Sequence, residues 1–176
     1  AGPKRQTWLR VAEHDGALYL DLGDDSWRVV RIASEGWEVI DRPPVYFVRP
    51  GGMLPLPVPV QGGSVAELFD LINVPDSDGQ ALVLGWLVST LRPSRPMPLL
   101  ALHAEQGSAK STTACMLAAV IDPHRAGLRI RPKDEETVMV ATQNAWVVAY
   151  DNLSSMPPWL SDGLCCLSTG ASYTAR

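Results

Sequence analysis

The side chains with the clearest potential for chemistry are Lys110 and Ser111, in the run Gly-Ser-Ala-Lys-Ser-Thr. A lysine ammonium can neutralise the charge of a β- or γ-phosphate, and a hydroxyl beside it can bind Mg²⁺. The run lies between an apolar stretch, Leu99 to His103, that predicts a strand and a stretch of small residues that predicts a helix. Because the first amides of a helix are unpaired and attract anions, this order of elements predicts a phosphate-binding turn.

The turn departs from the usual phosphate-binding pattern G-x-x-x-x-G-K-[ST] at both glycines, which are Ala104 and Ala109 here. An alanine at position 109 costs little if its φ is negative. The alternative interpretation is an ordinary strand-to-helix turn, in which Ser108 or Ser111 caps the helix and Lys110 is solvated. The strand and helix predicted on either side favour the phosphate site. Its predicted nucleotide-binding residues are Gln106, Gly107, Ser108, Ala109, Lys110, Ser111 and Thr112.

A second candidate is Asp151, which ends the apolar run WVVAYD about forty residues after Lys110. A carboxylate at the end of such a strand can hold Mg²⁺ directly or through water, so Ser111 and Asp151 are the predicted metal ligands. Lys110 and Asn152 are the predicted catalytic residues, and Asn152 would orient the attacking water. The alternative for Asp151 is a strand that simply runs into a turn.

The chain before this region predicts three further parts. Residues 1–49 predict a small antiparallel β-rich accessory module, because short β-branched and aromatic runs alternate with turn residues. Residues 50–63 predict an extended linker, since four prolines and four glycines exclude helix and central strand. Residues 64–97 predict a two-helix connector, with a capping box at Ser64 and a second, largely buried helix.

Composition limits the class of protein. The 176 residues carry a formal net charge of −4, which argues against a surface built mainly to coat nucleic acid, although a local basic patch remains compatible with it. No apolar window approaches the length of a membrane span, and the first residues are polar, so we expect neither a membrane partner nor a signal peptide. Three cysteines without disulfide or zinc spacing fit a cytoplasmic protein.

Several segments of the chain resemble those of a known group of proteins. The segments HAEQGSAKSTTACMLAAVIDP and NAWVVAYDNLSSMPPWLSDGLCCLSTG, with YLDLGDD, GWEVID and PGGMLPLP upstream, are similar to P-loop ATPases of phages and mobile elements. These are akin to primase-associated helicase proteins of the superfamily 3 or AAA+ type. The resemblance implies ATP and Mg²⁺ as cofactors at the turn, DNA as a partner and assembly of a homo-oligomeric ring.

The expected fold is therefore α+β overall, with a partial α/β P-loop NTPase core at residues 98–176 preceded by the β-rich module. Family members usually have glycine at position 104 and a glycine-rich run where Thr169 to Tyr173 stand here. We expect the front half of such a core, which would bind ATP weakly and hydrolyse it only in the full-length protein. The competing hypothesis is a non-enzymatic protein-interaction module with a degenerate nucleotide site.

Overall fold

The computed structural model describes residues 5–94, 96–105, 107–153 and 155–170. It is a mixed α/β structure. The strands are β1 (Thr7–Trp8), β2 (Val11–His14), β3 (Ala17–Asp21), β4 (Val29–Ala33), β5 (Gly36–Ile40), β6 (Tyr46–Phe47), β7 (Leu128–Arg129) and β8 (Ala149–Tyr150). The helices are α1 (Glu67–Leu71), α2 (Ser77–Thr90), α3 (Lys110–Ile121), α4 (Glu135–Asn144) and α5 (Pro158–Thr169). Within these ranges, no helix has the length and apolar character needed to cross a membrane.

The N-terminal strands form the small antiparallel sheet that the sequence predicts. Its order is β2-β3-β4-β5, and the β2–β3 hairpin turns at Gly16, whose φ of 73° is open to a residue without a Cβ. One face is filled by buried side chains of β2, β3 and β4, against which Trp8 and Phe47 pack. A pairing not predicted from the sequence joins β1 and β6 in parallel, with Thr7 opposite Tyr46.

The proline-rich segment 50–63 forms backbone hydrogen bonds with two other parts of the chain. The Leu54 amide donates to the Pro123 carbonyl at 2.9 Å, and the Leu56 amide donates to the Leu22 carbonyl at 2.8 Å. The segment therefore lies between the β-rich module and the end of α3. The division of the chain into separate domains stays a prediction. These hydrogen bonds connect the predicted linker to the predicted β-rich module and to the predicted P-loop core.

The two connector helices are present with the predicted start signals. The Ser64 amide donates to the Glu67 carboxylate at 3.0 Å, while the Ser64 hydroxyl accepts from the Ala66 amide rather than from Glu67. Asp76 caps α2 by accepting from the Gly79 amide at 2.7 Å. The start of α2 therefore has the side-chain cap that a helix N-terminus requires.

The expectation that α2 is largely buried is wrong. Only Val83 and Leu87 are buried, while Leu82 is 70% exposed and Val88 is 63% exposed. The helix is apolar on most sides, but it packs mainly against α3, so only one stripe enters the core. The core there joins Ile72 of the connector to α2 and α3.

The C-terminal region has the predicted helix, strand, helix, strand order after residue 109. Strands β7 and β8 pair in parallel, with Leu128 opposite Ala149, and α3 packs on both. The predicted strand Leu99–His103 is wrong for the described residues, because this stretch joins no ladder and Leu99 is 59% exposed. The chain just before it is instead tied to α5, a helix not predicted from the sequence.

Arg10 joins three parts of the chain in one buried contact. Its side chain is fully buried, and Nε donates to the Asp122 carboxylate at the end of α3 at 2.8 Å. The other guanidinium nitrogens donate to the carbonyls of Asp21 and Leu54 at 3.1 and 3.0 Å. The second Asp122 oxygen accepts from the amide of Trp146 at 2.7 Å. A buried charge is tolerated only with such complete pairing.

Replacing Asp122 with Asn should lower the free energy of unfolding by about 3–5 kcal/mol, because Arg10 would keep a buried charge without its counter-ion. Urea denaturation measures this loss. The matched control is Glu35→Gln, which breaks an exposed pair with Arg31 at 2.9 Å and should leave stability nearly unchanged. Equal effects of the two substitutions would contradict the structural importance of the buried pair.

His124 lies beside the proline-rich segment in a crowded setting. A Cβ at Gly52 would stand 2.2 Å from its imidazole ring, and its Nδ1 accepts from the Ala126 amide at 3.0 Å. Its Nε2 is buried without a hydrogen-bond partner among the described residues. Burial lowers the pKa of His124, and the nearby Arg129 lowers it further.

The free energy of unfolding should therefore decrease as the pH falls from 7.5 to 5.5. The unfolded histidine has a pKa of about 6.5 and takes up a proton more readily than the folded one, so acid favours unfolding. Melting temperatures of the parent and of His124→Gln across this range test the effect, with the exposed His14→Gln as control. If the pH dependence of stability remains in His124→Gln and disappears in His14→Gln, it arises from His14, and the prediction for His124 is wrong.

Candidate functional site

The turn before α3 has left-handed backbone at two positions. Gly107 has a φ of 86°, and Ala109, immediately before Lys110, has a φ of 61°. The condition under which an alanine would cost little at position 109, a negative φ, is therefore not met. The alanine occupies the site of the second glycine in the phosphate-binding pattern, where its Cβ costs about 1–2 kcal/mol in left-handed geometry. The backbone has the conformation that the pattern's glycine would provide, although the residue is different.

Lys110 is partly exposed, but its ammonium is bonded to the turn rather than free in solvent, in contrast to the alternative interpretation of the turn. Its ammonium donates to the carbonyls of Ala104 and Glu105 at 2.7 and 2.6 Å, and to the Ser108 hydroxyl at 3.3 Å. The turn thus folds around the lysine side chain. Gln106, one of the predicted nucleotide-binding residues, lies outside the described residues.

The serines of the turn do not cap α3 through their side chains. The Ser108 hydroxyl donates to the Glu105 carbonyl at 2.8 Å, and the Ser108 carbonyl accepts from the Asn73 amide group at 3.2 Å. Asn73 lies in the connector and was not predicted as a site residue. Nothing in its local sequence distinguishes it, because the contact is made across 35 positions. It ties the connector to the turn.

The structure brings the two predicted metal ligands together. The Ser111 hydroxyl donates to the Asp151 carboxylate at 2.9 Å, although the residues are 40 positions apart. Asp151 follows β8 directly, and its amide donates to the Arg129 carbonyl at 2.8 Å. Its other carboxylate oxygen accepts from the Asn152 amide at 2.8 Å. Pairing of β7 with β8 therefore sets the position of Asp151, and α3 sets that of Ser111.

Thr112 and Asn152 are the remaining predicted site residues. Thr112 lies in the first turn of α3 and is exposed. Asn152 is exposed and has a φ of 54°, a left-handed conformation that asparagine tolerates better than most residues. The positive φ and the contact between Asp151 and the Asn152 amide also fit the simpler description of a turn after a strand. The catalytic role of Asn152 stays a prediction.

The donor set suits a hard cation only in part. A serine hydroxyl and a carboxylate are oxygen ligands of the kind that Mg²⁺ prefers, and Mg²⁺ usually completes its shell with water and substrate phosphates. Over the described residues, no group of three or more histidine, cysteine, aspartate or glutamate side chains is arranged to hold a metal ion. Ser111 and Asp151 thus supply two oxygen donors of the kind that Mg²⁺ uses, and the described residues form no all-protein metal cage around them.

The region that contains the turn, α3 and Asp151 matches a known protein family. A family model for the actinomycete integrative conjugative element replication protein matches residues 65–176. The chain belongs to that family. No curated protein and no solved structure matches it. The matched range of the chain includes the turn, α3 and Asp151, whereas the four-stranded sheet lies before that range. The resemblance to replication proteins of mobile elements is thereby confirmed, and its P-loop ATPase character stays a prediction.

In this replication protein, Ala109→Gly should raise the free energy of unfolding by up to about 1 kcal/mol. Glycine removes the Cβ strain at positive φ, and the greater freedom of the unfolded glycine chain offsets part of the gain. The matched control is Ala119→Gly in exposed, regular turns of α3, which should cost about 0.5–1 kcal/mol. Chemical denaturation measures the free energy of unfolding of both variants. An equal loss of stability in the two variants would contradict backbone strain at Ala109.

Proposed function

We propose that this replication protein binds ATP together with Mg²⁺ at the turn before α3. The observation that carries the proposal is the 2.9 Å contact between Ser111 and Asp151, since the two oxygens lie where one metal ion could join them. Ser111 and Asp151 would hold the Mg²⁺ ion, which would supply positive charge to the phosphates. The amides of Gly107 to Lys110 would contact phosphate oxygens.

Lys110 supplies the positive charge in this proposal. Its ammonium now contacts two carbonyls of the turn, so it is already directed into the loop that would surround a phosphate. When ATP binds, phosphate oxygens would replace these carbonyls as partners, because a charged acceptor forms the stronger hydrogen bond. We further propose that the bound ATP is hydrolysed to drive work on DNA by a ring of identical subunits, with Asn152 orienting the attacking water.

A second candidate is a protein-interaction module whose nucleotide site has degenerated. The observation in its favour is Ala109, which carries a Cβ at a φ of 61° where the pattern has glycine. A site under pressure to bind phosphate closely would be expected to keep the smaller residue. The two candidates differ in whether Lys110 affects the response of the protein to nucleotide.

Melting with Mg²⁺ and increasing ATP, ADP or GTP tests the proposal. ATP at a hundred times its Kd should add about 2.7 kcal/mol, which raises the melting temperature by several degrees. Lys110→Ala should abolish this shift, and Asp151→Asn should remove its dependence on Mg²⁺. Lys133→Ala is the matched control, since Lys133 is an exposed lysine on the loop before α4. No shift at several millimolar ATP, or an equal shift in Lys110→Ala, would favour the interaction module.

A further inference from the structure

A groove in the β-rich module lies outside the range that matches the replication family. It encloses about 330 Å³ where β1 and β6 meet the β2–β3 hairpin. Its lining includes Arg5, Trp8, Glu13, His14, Val45 and Tyr46. The volume is at the lower end of the roughly 300–1,000 Å³ typical of ligand pockets, so it suits one or two flat groups rather than a folded element.

Aromatic rings and a cation are held together in this groove. Tyr46 is 47% exposed, and the Arg5 guanidinium carbon lies 4.7 Å from the centre of its ring. The Tyr46 backbone is fixed by its pairing with Thr7, and the Val48 amide donates to the Trp8 carbonyl at 2.8 Å. The rings are therefore carried on paired strands rather than on a free loop, which limits the entropy lost when a ligand stacks on them.

The charges in the groove favour a ligand with both phosphates and bases. Arg5 forms no ion pair within the described part of the chain, so its guanidinium, which covers one face of the Tyr46 ring, can move from the ring onto a phosphate. Glu13 would repel phosphate, but its carboxylate can accept a hydrogen bond from an N–H on the edge of a base. Phosphates at Arg5 and bases near the rings and Glu13 satisfy both side chains.

We propose that this groove binds single-stranded DNA, with an unpaired base taking the place of the Arg5 guanidinium on the Tyr46 ring, Trp8 beside the base and Arg5 moved onto the adjacent phosphate. A flat ring can stack only on a base that is not already enclosed in a duplex, so the groove selects single strands. The net charge of −4 makes binding weak and dependent on this local contact. The proposal does not depend on ATP binding, because the groove and the turn before α3 share no residue.

Fluorescence anisotropy of a labelled oligodeoxythymidine at low salt tests the groove. Tyr46→Ala should weaken binding roughly tenfold through loss of the stacked base, whereas Tyr46→Phe should stay within about twofold because it keeps the ring. Arg5→Ala should reduce the slope of log K against log salt by about 0.7, the value for one phosphate contact on a single strand. Trp37→Ala is the control, since Trp37 is an aromatic residue of β5 in the four-stranded sheet, 41% exposed, that does not line the groove.

Three results would overturn the proposal. They are no binding of the single strand at low salt, unchanged binding by Tyr46→Ala, and competition by a duplex as effective as that by an unlabelled single strand. Lys110→Ala should bind the oligonucleotide like the parent protein. Loss of ATP binding with retained DNA binding, or the reverse, therefore separates failure of the nucleotide site from failure of the groove.

Discussion

The buried pair of Arg10 and Asp122 is the constraint on which the arrangement of the chain depends. It joins residues 112 positions apart, and both side chains are withdrawn from water. A guanidinium in such a place must have its donors paired, and carbonyls of Asp21 and Leu54 provide the additional acceptors. Gly23 is part of the same fit, because a Cβ there would stand 2.9 Å from the guanidinium. The β-rich module, the proline-rich segment and α3 are thus located by one contact.

The same pair also influences the candidate site at the far end of α3. Asp122 follows the last residue of α3 and binds the amide of Trp146, which precedes β8. At the other end, Ser111 in the first turn of α3 binds Asp151, which follows β8. Helix and strand are therefore fastened to each other at both ends, about 18 Å apart along a helix of twelve residues. Contacts at both ends of α3 thus fix the helix against the segment that carries Asp151.

Local sequence signals were sufficient for the elements that local chemistry determines. Short β-branched and aromatic runs between turn residues predicted the antiparallel sheet, and the Ser64 capping box predicted a helix close to where α1 begins. The proximity of Ser111 and Asp151 was implied by placing both at the ends of packed elements. These predictions needed no knowledge of distant partners.

The features that sequence reasoning missed depend on long-range partners. Leu99 to His103 has the composition of a strand, but a strand exists only where a neighbour pairs with it. The left-handed φ of Ala109 could not be inferred from an alanine, which normally avoids that region. From the sequence, Arg10 is a charged residue between two short strands, a position typical of the surface. Its burial depends on Asp122 and two carbonyls that only the folded chain brings to it. Such residues become recognisable only once the chain is folded.

The contacts of Lys110 have a consequence for how the turn discriminates among anions. The ammonium donates to the turn's own carbonyls of Ala104 and Glu105, so in the proposed site these carbonyls would compete with a phosphate for Lys110. The apparent affinity is then the intrinsic affinity multiplied by the fraction of molecules whose turn is open. If one molecule in about a hundred is open, the apparent dissociation constant rises about a hundredfold. In the proposed ATP site, a small anion with one contact would not compensate for that loss, whereas a polyphosphate with several contacts would, and the turn would thereby exclude simple salts.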